Sequence, residues 1–380
     1  MKPLFVQWGA GNIGRSFIGQ VFSQNGYTVT FIDINTKLID VLNTEHSYVV
    51  HTVSGEDSVN LVVDDVLAID ATNQDAVNEA IINASLMGIS VGKNVWPYIA
   101  SSLSMAIVAR YKTRPLEPLD IILAENIHHA SQFVTSFLTK YLPKDFPLNS
   151  YVGLVETSIG KMVPIQDGNA LGTVRAEPYD ELIVDKDGFL QQIPKVVQLH
   201  PVSPISAYVD RKLFIHNLGH ATAAYLGYKA NPEALYISDV LEDSTVISNV
   251  RKTMMQSADA LLELYPNVFT YSTLTYHIDD LIQRFKNKAL QDTVFRVGRD
   301  LKRKLRYDDR FMGIIIEAQR LQKPWDLIAK AYLAALTFYA ANSSNEQMLS
   351  DKECLQHMVN MSLKDKLYYV SDWEHSHLSK

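Results

Sequence analysis

The chain opens on a short apolar run, Leu4 to Trp8, followed by glycines. Phe17, Ile18, Val21 and Phe22 then recur at the spacing of one helical face. Gly26 is placed to cap that helix, and Tyr27 to Ile32 is a second apolar run. The pattern predicts strand, helix, strand. Further strands are predicted at Tyr48 to Val53, Val59 to Val63, Val66 to Ile69, Ile89 to Val91 and Leu119 to Ala124, with helices near Gln74 to Asn83 and Val95 to Ala109. Arg114 to Pro118 reads as a surface loop and Asp185 to Gly188 as a turn. Pro194 to Pro204, with three prolines, marks the crossing into a second region. From Ser206 onward the period is mostly helical, as in segments 233–265, 277–286 and 324–341. Asn342 to Asn345 is predicted as a loop and Trp373 to Lys380 as a polar tail.

The glycines change this picture from architecture to chemistry. Gly9-Ala10-Gly11-Asn12-Ile13-Gly14 occupies the tight turn of a βαβ unit, as G-x-G-x-x-G. The first glycine permits the turn, the second lets a pyrophosphate approach the backbone, and the third lets helix and strand pack closely. The free N–H groups of the helix start would face the phosphates. Asp33 ends the second strand, 19 residues after Gly14. An acid there accepts from the adenosine ribose hydroxyls and repels a 2′-phosphate, which favours NAD over NADP. A glycine-rich turn alone is a weak signal; strand, helix, strand and acid together carry the reading. At Val91 to Asn94 a backbone passing close to the cofactor and a plain turn are equally open. The expected fold is an N-terminal Rossmann-type α/β domain over 1–199, followed by a mainly α-helical domain over 200–380. Cofactor and substrate are expected in a cleft between them.

Composition narrows the rest. A chain of 380 residues is long for one core, and two domains are the natural expectation. With 47% hydrophobic and 20% charged residues the balance is that of a globular protein. A net charge of -7 gives no general affinity for nucleic acid or acidic membranes. The single cysteine, Cys354, excludes a disulfide framework and a thiolate zinc site. The first residues lack the apolar core of a signal peptide, and the longest apolar run, Ala331 to Ala341, is too short to span a bilayer. A cytoplasmic protein is expected, with monomer and dimer both open.

The stretch Asp210 to Gly227, DRKLFIHNLGHATAAYLG, places Lys212, Asn217 and His220 within a little over two helical turns. Leu213, Phe214, Ala221, Ala224 and Tyr225 fill positions suited to a packed helix. Two readings stand. The three polar residues are a snorkelling lysine and satisfied core polars, or they converge on a substrate oxygen. The stretch resembles the polyol-specific long-chain dehydrogenases, whose catalytic element is Lys, then Asn five residues on, then His eight residues on. The resemblance is strong at 1–33, 205–228 and 283–310, and it covers nearly the whole chain. It implies Lys212 as general acid/base, Asn217 as donor to the substrate oxygen, and His220 as a ligand that orients the same oxygen or its neighbour. It implies hydride exchange between a nicotinamide and a secondary alcohol or ketone carbon. No metal is expected: His128 and His129 are adjacent, and His216 and His220 have no carboxylate in H-E-x-x-H register.

The same resemblance assigns Asn126, after the strand ending in Ala124, to the cofactor side; a helix N-cap is the competing reading. It matches Glu156 to a position where some members carry an Asn that helps hold the substrate oxygen. Gly160 and Lys161 replace the family's Asp-Arg pair. A carboxylate cannot donate to an oxyanion unless protonated, so Glu156 would accept from a substrate hydroxyl or tune Lys212. These departures leave a non-catalytic dinucleotide-binding protein as an alternative. Residues 284 to 310 are strongly basic, with Arg296, Arg299 and Arg303 at i, i+3 and i+7, one face if the segment is helical. They are either a solvated face or a phosphate site for a sugar-phosphate or polyol-phosphate substrate. The match to the family's sugar-phosphate branch favours Arg299 first and Arg303 second. A sibling acting on an unphosphorylated polyol or a keto-uronate is the alternative within enzymes.

Overall fold

The computed structural model describes residues 2–55, 57–164, 166 and 171–373. It divides into two compact units, Met1–Val209 and Asp210–Lys380.

Among the described residues the first unit contains eleven strands: β1 (Leu4–Trp8), β2 (Thr28–Asp33), β3 (Ser47–Ser54), β4 (Asp57–Asp64), β5 (Val66–Asp70), β6 (Leu86–Ile89), β7 (Leu119–Leu123), β8 (Val152–Ile159), β9 (Thr173–Ala176), β10 (Leu182–Asp185) and β11 (Leu199–Val202). Eight form one sheet in the order β11-β10-β8-β7-β6-β1-β2-β5. The strands from β8 through β5 are parallel, and β10 runs antiparallel to β8. The order of the parallel part reverses at β1, the switch point of a doubly wound sheet. The sheet is buried on both faces, so its strands are nearly unbroken apolar runs rather than alternating ones. In β1, Phe5 packs into the core on one face while Val6 and Trp8 pack on the other. A buried acid interrupts β7: Asp120 accepts from the amides of Leu190 at 2.9 Å and Gln191 at 3.1 Å, so both carboxylate oxygens are engaged.

The remaining strands form a separate sheet in the order β4-β3-β9. Neither β9, a short strand paired with β3, nor β11, in the proline-rich stretch read as a crossing, is among the strands read from sequence. β11 tolerates Pro201 because it is the edge strand, where a missing N–H breaks no inner ladder. The strand expected at Ile89 to Val91 is β6, which ends at Ile89 because Gly92 (φ +84) turns the chain.

The second unit is helical throughout the named elements. The expected helix 233–265 is broken at Leu241–Asp243, where Asp243 caps Ser244–Leu264 by accepting from the amides of Thr245 and Val246. Segments 277–286 and 324–341 correspond to helices Tyr271–Phe285 and Asp326–Ala335. No helix of the described residues is long and apolar enough to cross a membrane. Residues 374–380 of the expected polar tail lie outside the described residues.

Candidate active site

In the first unit the three motif glycines meet three different demands. Gly9 has φ +95, and its amide donates to the Ile32 carbonyl at 2.8 Å. A Cβ on Gly14 would lie 1.9 Å from the Gly9 carbonyl oxygen, so only glycine fits where helix and loop close on each other. Gly11 faces open space, with nothing within 4 Å of a Cβ. A loop that is tight at both ends and open in the middle fits a pyrophosphate lying along its backbone. Asn12 is exposed beside Gly11, and Ile13 is partly buried.

Asp33 closes the loop from below. One carboxylate oxygen accepts from the Ala10 amide at 2.7 Å, and the other from the amides of Ile34 and Asn35 at 2.8 and 2.9 Å. The acid is thereby oriented before any ligand arrives. Arg15, missed in the sequence, braces the same loop: its Nε donates to the Ala10 carbonyl at 2.8 Å, and Nη1 donates to the carbonyl of Leu171.

The helix after the loop starts at Asn12 and Ile13, passes at once into a π turn, Gly14–Gly19, and continues as Gln20–Gln24. Gly26 (φ +84) ends it, with the Tyr27 amide bonded back to Phe22 at 3.2 Å.

At the end of β7, buried Glu125 accepts from the amides of Val91 at 2.9 Å and Gly92 at 3.0 Å. Burial raises its pKa above the ordinary carboxylate range, against the pull of those amides. The Val91–Asn94 turn is thus held by the acid of the Glu125-Asn126 pair. Asn126 itself is exposed. It is not the helix cap: the helix is Ala130–Leu138, preceded by His129 at φ +51. The carboxylate at its start is that of Glu156, which accepts from the Ser131 amide at 3.1 Å and the Ser131 hydroxyl at 2.5 Å. Lys161 is buried, with its Nζ 5.2 Å from the Phe17 ring centre.

In the second unit Lys212, Asn217 and His220 lie on one helical course, but it is not a plain α-helix. Ile205–Arg211 leads into a π turn, Lys212–Asn217, and then into Leu218–Ala230. This matters for the spacing. On an α-helix five residues overshoot one turn by about 140°, which would point Lys212 and Asn217 apart. The i→i+5 bonding of a π turn winds the backbone more loosely, which brings positions five apart nearer to one line along the axis. Carbonyls of the widened turn are taken by other segments. The Ser257 hydroxyl donates to the Phe214 carbonyl at 2.6 Å, and Arg310 Nη1 donates to the Asn217 carbonyl at 3.2 Å.

Part of the Lys212 surface remains open, but the protein packed around it lowers its pKa to about 8; burial is the first cause and the Arg310 guanidinium the second. His220 Nε2 lies 2.9 Å from Asp292 Oδ2, and its ring stacks on Phe285 at 4.6 Å and 9°. The other oxygen of Asp292 accepts from Arg296 Nε at 2.6 Å. Burial raises the Asp292 pKa, and His220 and Arg296 together outweigh it, leaving the acid below its ordinary value. His216 is buried beside them, and burial, then Arg284, holds its pKa well below the imidazole range.

The single face expected for Arg296, Arg299 and Arg303 does not form. Helix Val294–Gly298 stops, Arg299 is extended, Asp300 takes φ +72, and a second short helix spans Leu301–Lys304. A Cβ on Gly298 would lie 2.1 Å from the Phe338 ring, which fixes the glycine where the first helix ends. Lys304 Nζ donates to the carbonyls of Val297, at 2.6 Å, and Arg299, while Asp351 receives the amides of Asp300 and Leu301 at 2.7 and 2.8 Å. Arg296 is committed to Asp292. Exposed Arg303 pairs with Asp300 and lies 3.7 Å from Asp309, which also holds Arg310 at 2.8 Å. Exposed Arg299 stands 5.6 Å from the Phe295 ring centre. Asp292 and Arg310 were not singled out in the sequence. A carboxylate four residues before Arg296 was the available signal for Asp292; Arg310 was only the end of the basic stretch. Among the described residues no group of three His, Cys, Asp or Glu side chains could hold a metal ion.

Two family models cover almost the entire chain: the mannitol dehydrogenase Rossmann domain matches residues 4–198, and the mannitol dehydrogenase C-terminal domain matches 204–369. The chain belongs to the mannitol dehydrogenase family. It is therefore an oxidoreductase of the polyol dehydrogenase class with a nicotinamide cofactor. It is 31% identical over 352 residues to a mannitol-1-phosphate 5-dehydrogenase of Buchnera aphidicola subsp. Acyrthosiphon pisum, spanning 92% of this chain and 90% of the relative. It is 32% identical over 354 residues to one named likewise from Streptococcus mutans, spanning 92% and 91%. The fold is shared with a solved D-sorbitol dehydrogenase, at TM-score 0.78 and 14% identity over 100% of this chain and 88% of that one. It is also shared with a Pseudomonas fluorescens mannitol 2-dehydrogenase solved with NAD and D-mannitol, at TM-score 0.70 and 13% identity over 97% and 86%.

Proposed function

We propose that the protein interconverts mannitol 1-phosphate and fructose 6-phosphate with NAD, without a metal. The observation that supports the chemistry is the π turn that runs from Lys212 to Asn217, with the lysine lowered to about 8. The substrate rests on likeness to relatives with that activity at about a third identity over nine-tenths of the chain.

Bound nicotinamide supplies or accepts the hydride. Lys212 manages the proton: it takes one from the alcohol during oxidation and returns one to the alkoxide during reduction. A pKa near 8 keeps both of its forms available around neutral pH. Asn217 donates its side-chain amide to the same oxygen, where negative charge develops. His220 fixes the neighbouring part of the chain of hydroxyls. The loop Gly9 to Gly14, with Ala10, Gly11, Asn12 and Ile13, holds the pyrophosphate, Asp33 the adenosine ribose, and Asn126 the nicotinamide side. Glu156 supports the site through Ser131 and accepts from substrate.

Arg299 and Arg303 take the phosphate, Arg299 first. Its backbone is pinned by Lys304, and the Asp309 carboxylate ties Arg303 to Arg310, the residue bonded to the Asn217 carbonyl. A planar guanidinium gives two charge-assisted bonds to one phosphate. The carboxylates already on Arg303 favour a second reading, a dehydrogenase of an unphosphorylated polyol or keto-uronate.

NADH oxidation with fructose 6-phosphate, set beside fructose and tagaturonate, separates the two. The phosphate should be preferred, and Arg299→Ala should raise its KM steeply while barely changing turnover of fructose. Preference for the unphosphorylated sugar overturns the phosphate site. NAD binding without turnover of any of the three would favour a non-catalytic role.

A further inference from the structure

At the C-terminal edge of the parallel sheet one acid is buried without a cation. Glu125 comes two residues after β7, beside the end of β6, where the Ala124 amide donates to the Ile89 carbonyl at 2.8 Å. It is 7% exposed. Its Oε1 accepts from the amides of Val91 and Gly92 at 2.9 and 3.1 Å, and its Oε2 from that of Gly92 at 3.0 Å. N–H donors facing both oxygens favour the ionised carboxyl. Burial works against that charge and raises the pKa. Among the described residues no Lys, Arg or His side chain pairs with Glu125, and Lys93, next along the turn, is exposed. A buried charge met only by backbone dipoles is costly, and a cation brought beside it recovers part of that cost.

The sheet order indicates which half of a dinucleotide lies nearest. The order reverses at β1, and β2, which ends in Asp33, stands on one side of it, with β6 and β7 on the other. With the adenosine ribose on Asp33 and the pyrophosphate on the loop after β1, the remaining half extends over the ends of β6 and β7. That half ends in the nicotinamide ring, a cation in NAD⁺ and neutral in NADH. We propose that Glu125 is the counter-charge for the oxidised ring, so that its carboxylate favours NAD⁺ over NADH. This rests on the cofactor site proposed above. Tighter holding of the oxidised form makes bound NADH the stronger hydride donor, so the acid biases the site toward reduction of a ketone carbon.

Calorimetric titration of the full-length protein with NAD⁺ and with NADH, at neutral pH and without substrate, tests this. Glu125→Gln keeps an oxygen at the Oε1 position, which accepts from both amides, so the turn is retained while the charge is removed. Kd for NAD⁺ should rise about tenfold, the scale of one lost and partly screened charge pair, while Kd for NADH stays nearly unchanged. The two forms differ only at the ring, so a purely structural loss weakens both alike. Equal weakening, or no change in either, overturns the proposal. If the glutamine variant does not fold, Asn126→Asp decides: a second carboxylate at the next position should shift the ratio of the two Kd values in the opposite direction, toward NAD⁺. An unmoved ratio there also overturns the proposal. If neither form binds the unmodified protein, the cofactor site itself is refuted and the proposal with it, a result distinct from binding of both forms at an unmoved ratio.

Discussion

Each unit carries a six-residue π turn in its functional helix, Gly14–Gly19 in the first and Lys212–Asn217 in the second, and the two turns are used in opposite ways. Both give carbonyls to side chains from elsewhere: Tyr48 Oη donates to the Arg15 carbonyl at 2.7 Å, as Ser257 does to Phe214. In the first turn both ends are glycine. A Cβ on Gly19 would lie 2.6 Å from the Phe31 ring, and one on Gly14 would strike the Gly9 carbonyl. Widening there is a packing device that lets backbone meet backbone and leaves the loop ahead open for a ligand. In the second turn the ends are Lys212 and Asn217, and the widening brings the two positions nearer to one line. On the proposed function, the same backbone irregularity serves binding through absence of side chains and catalysis through their presence.

The comparison is broken most severely by removing the side chains of the second turn. Lys212→Ala should leave NAD binding nearly intact and lower turnover by roughly 10³–10⁴-fold, as when a general acid/base is lost with its orienting role. Asn217→Ala should cost roughly 10²–10³-fold, the scale of one oxyanion donor. Calorimetric NAD binding and steady-state rates on the same preparations decide it. Near-normal turnover of Lys212→Ala would remove the second turn from the chemistry.

How much of this was legible in the sequence differs between the two turns. The glycine loop declares itself because its constraints are local: Gly9 bonds to Ile32, Gly14 closes on Gly9, and Asp33 comes at a fixed distance. The Lys212, Asn217 and His220 spacing was readable, but the π turn that brings Lys212 and Asn217 nearer to one line was not. It depends on Ser257 and Arg310, which lie 43 and 93 residues from the carbonyls they hold. Asp292 escaped for the same reason, since its partner His220 is far away in sequence. The single arginine face failed because Gly298 meets Phe338 and Asp300 turns left-handed, tertiary events that a local period does not record.

The first turn is tested by a pair of glycine substitutions. Gly14→Ala places a Cβ 1.9 Å from a carbonyl oxygen and should disrupt the loop, with a lowered Tm and no measurable NAD binding. Gly11→Ala meets no protein atom within 4 Å and should fold normally. Its methyl enters the space assigned to the pyrophosphate, so NAD should bind roughly 10–100-fold more weakly at unchanged Tm, the scale of one or two lost hydrogen bonds to a charged group. Equal NAD affinity for Gly11→Ala and the unmodified protein would place the cofactor elsewhere.

The lowered lysine gives a pH dependence with a definite sign. Only the neutral amine can take the alcohol proton, so kcat/KM for oxidation should rise about tenfold per pH unit below 8 and level off above it. Reduction needs the protonated form and should be flat at lower pH and fall above about 8. An exposed lysine would move both breaks toward about 10.4. Substituting Arg310 by Met removes the second cause of the lowering and should carry the breaks upward. Profiles in both directions, fitted for the position of the break, check this; breaks unmoved from the ordinary lysine value would show that the group titrating is not Lys212.

The smallest expected effect concerns which dinucleotide the first unit prefers. Asp33 has both oxygens oriented by backbone amides, Ala10 on one and Ile34 and Asn35 on the other, so the carboxylate is held at the end of β2 whether or not a ligand is present. On the proposed function its charge repels a 2′-phosphate, and its remaining lone pairs accept from ribose hydroxyls. Asp33→Ser keeps a small acceptor near the loop and removes the charge. Binding of NAD should weaken roughly tenfold, the scale of one charge-assisted hydrogen bond, while NADP improves as the repulsion disappears. Because the Ala10 amide also loses its partner, part of the loss should appear as a slightly lowered Tm common to both cofactors, and the ratio of kcat/KM for NAD to that for NADP isolates the charge. That ratio should strongly favour NAD in the unmodified protein and approach unity in Asp33→Ser. Equal efficiency with both cofactors before the substitution would mean that the acid only braces the loop, which would make the first unit a scaffold for phosphate and leave discrimination to residues outside it.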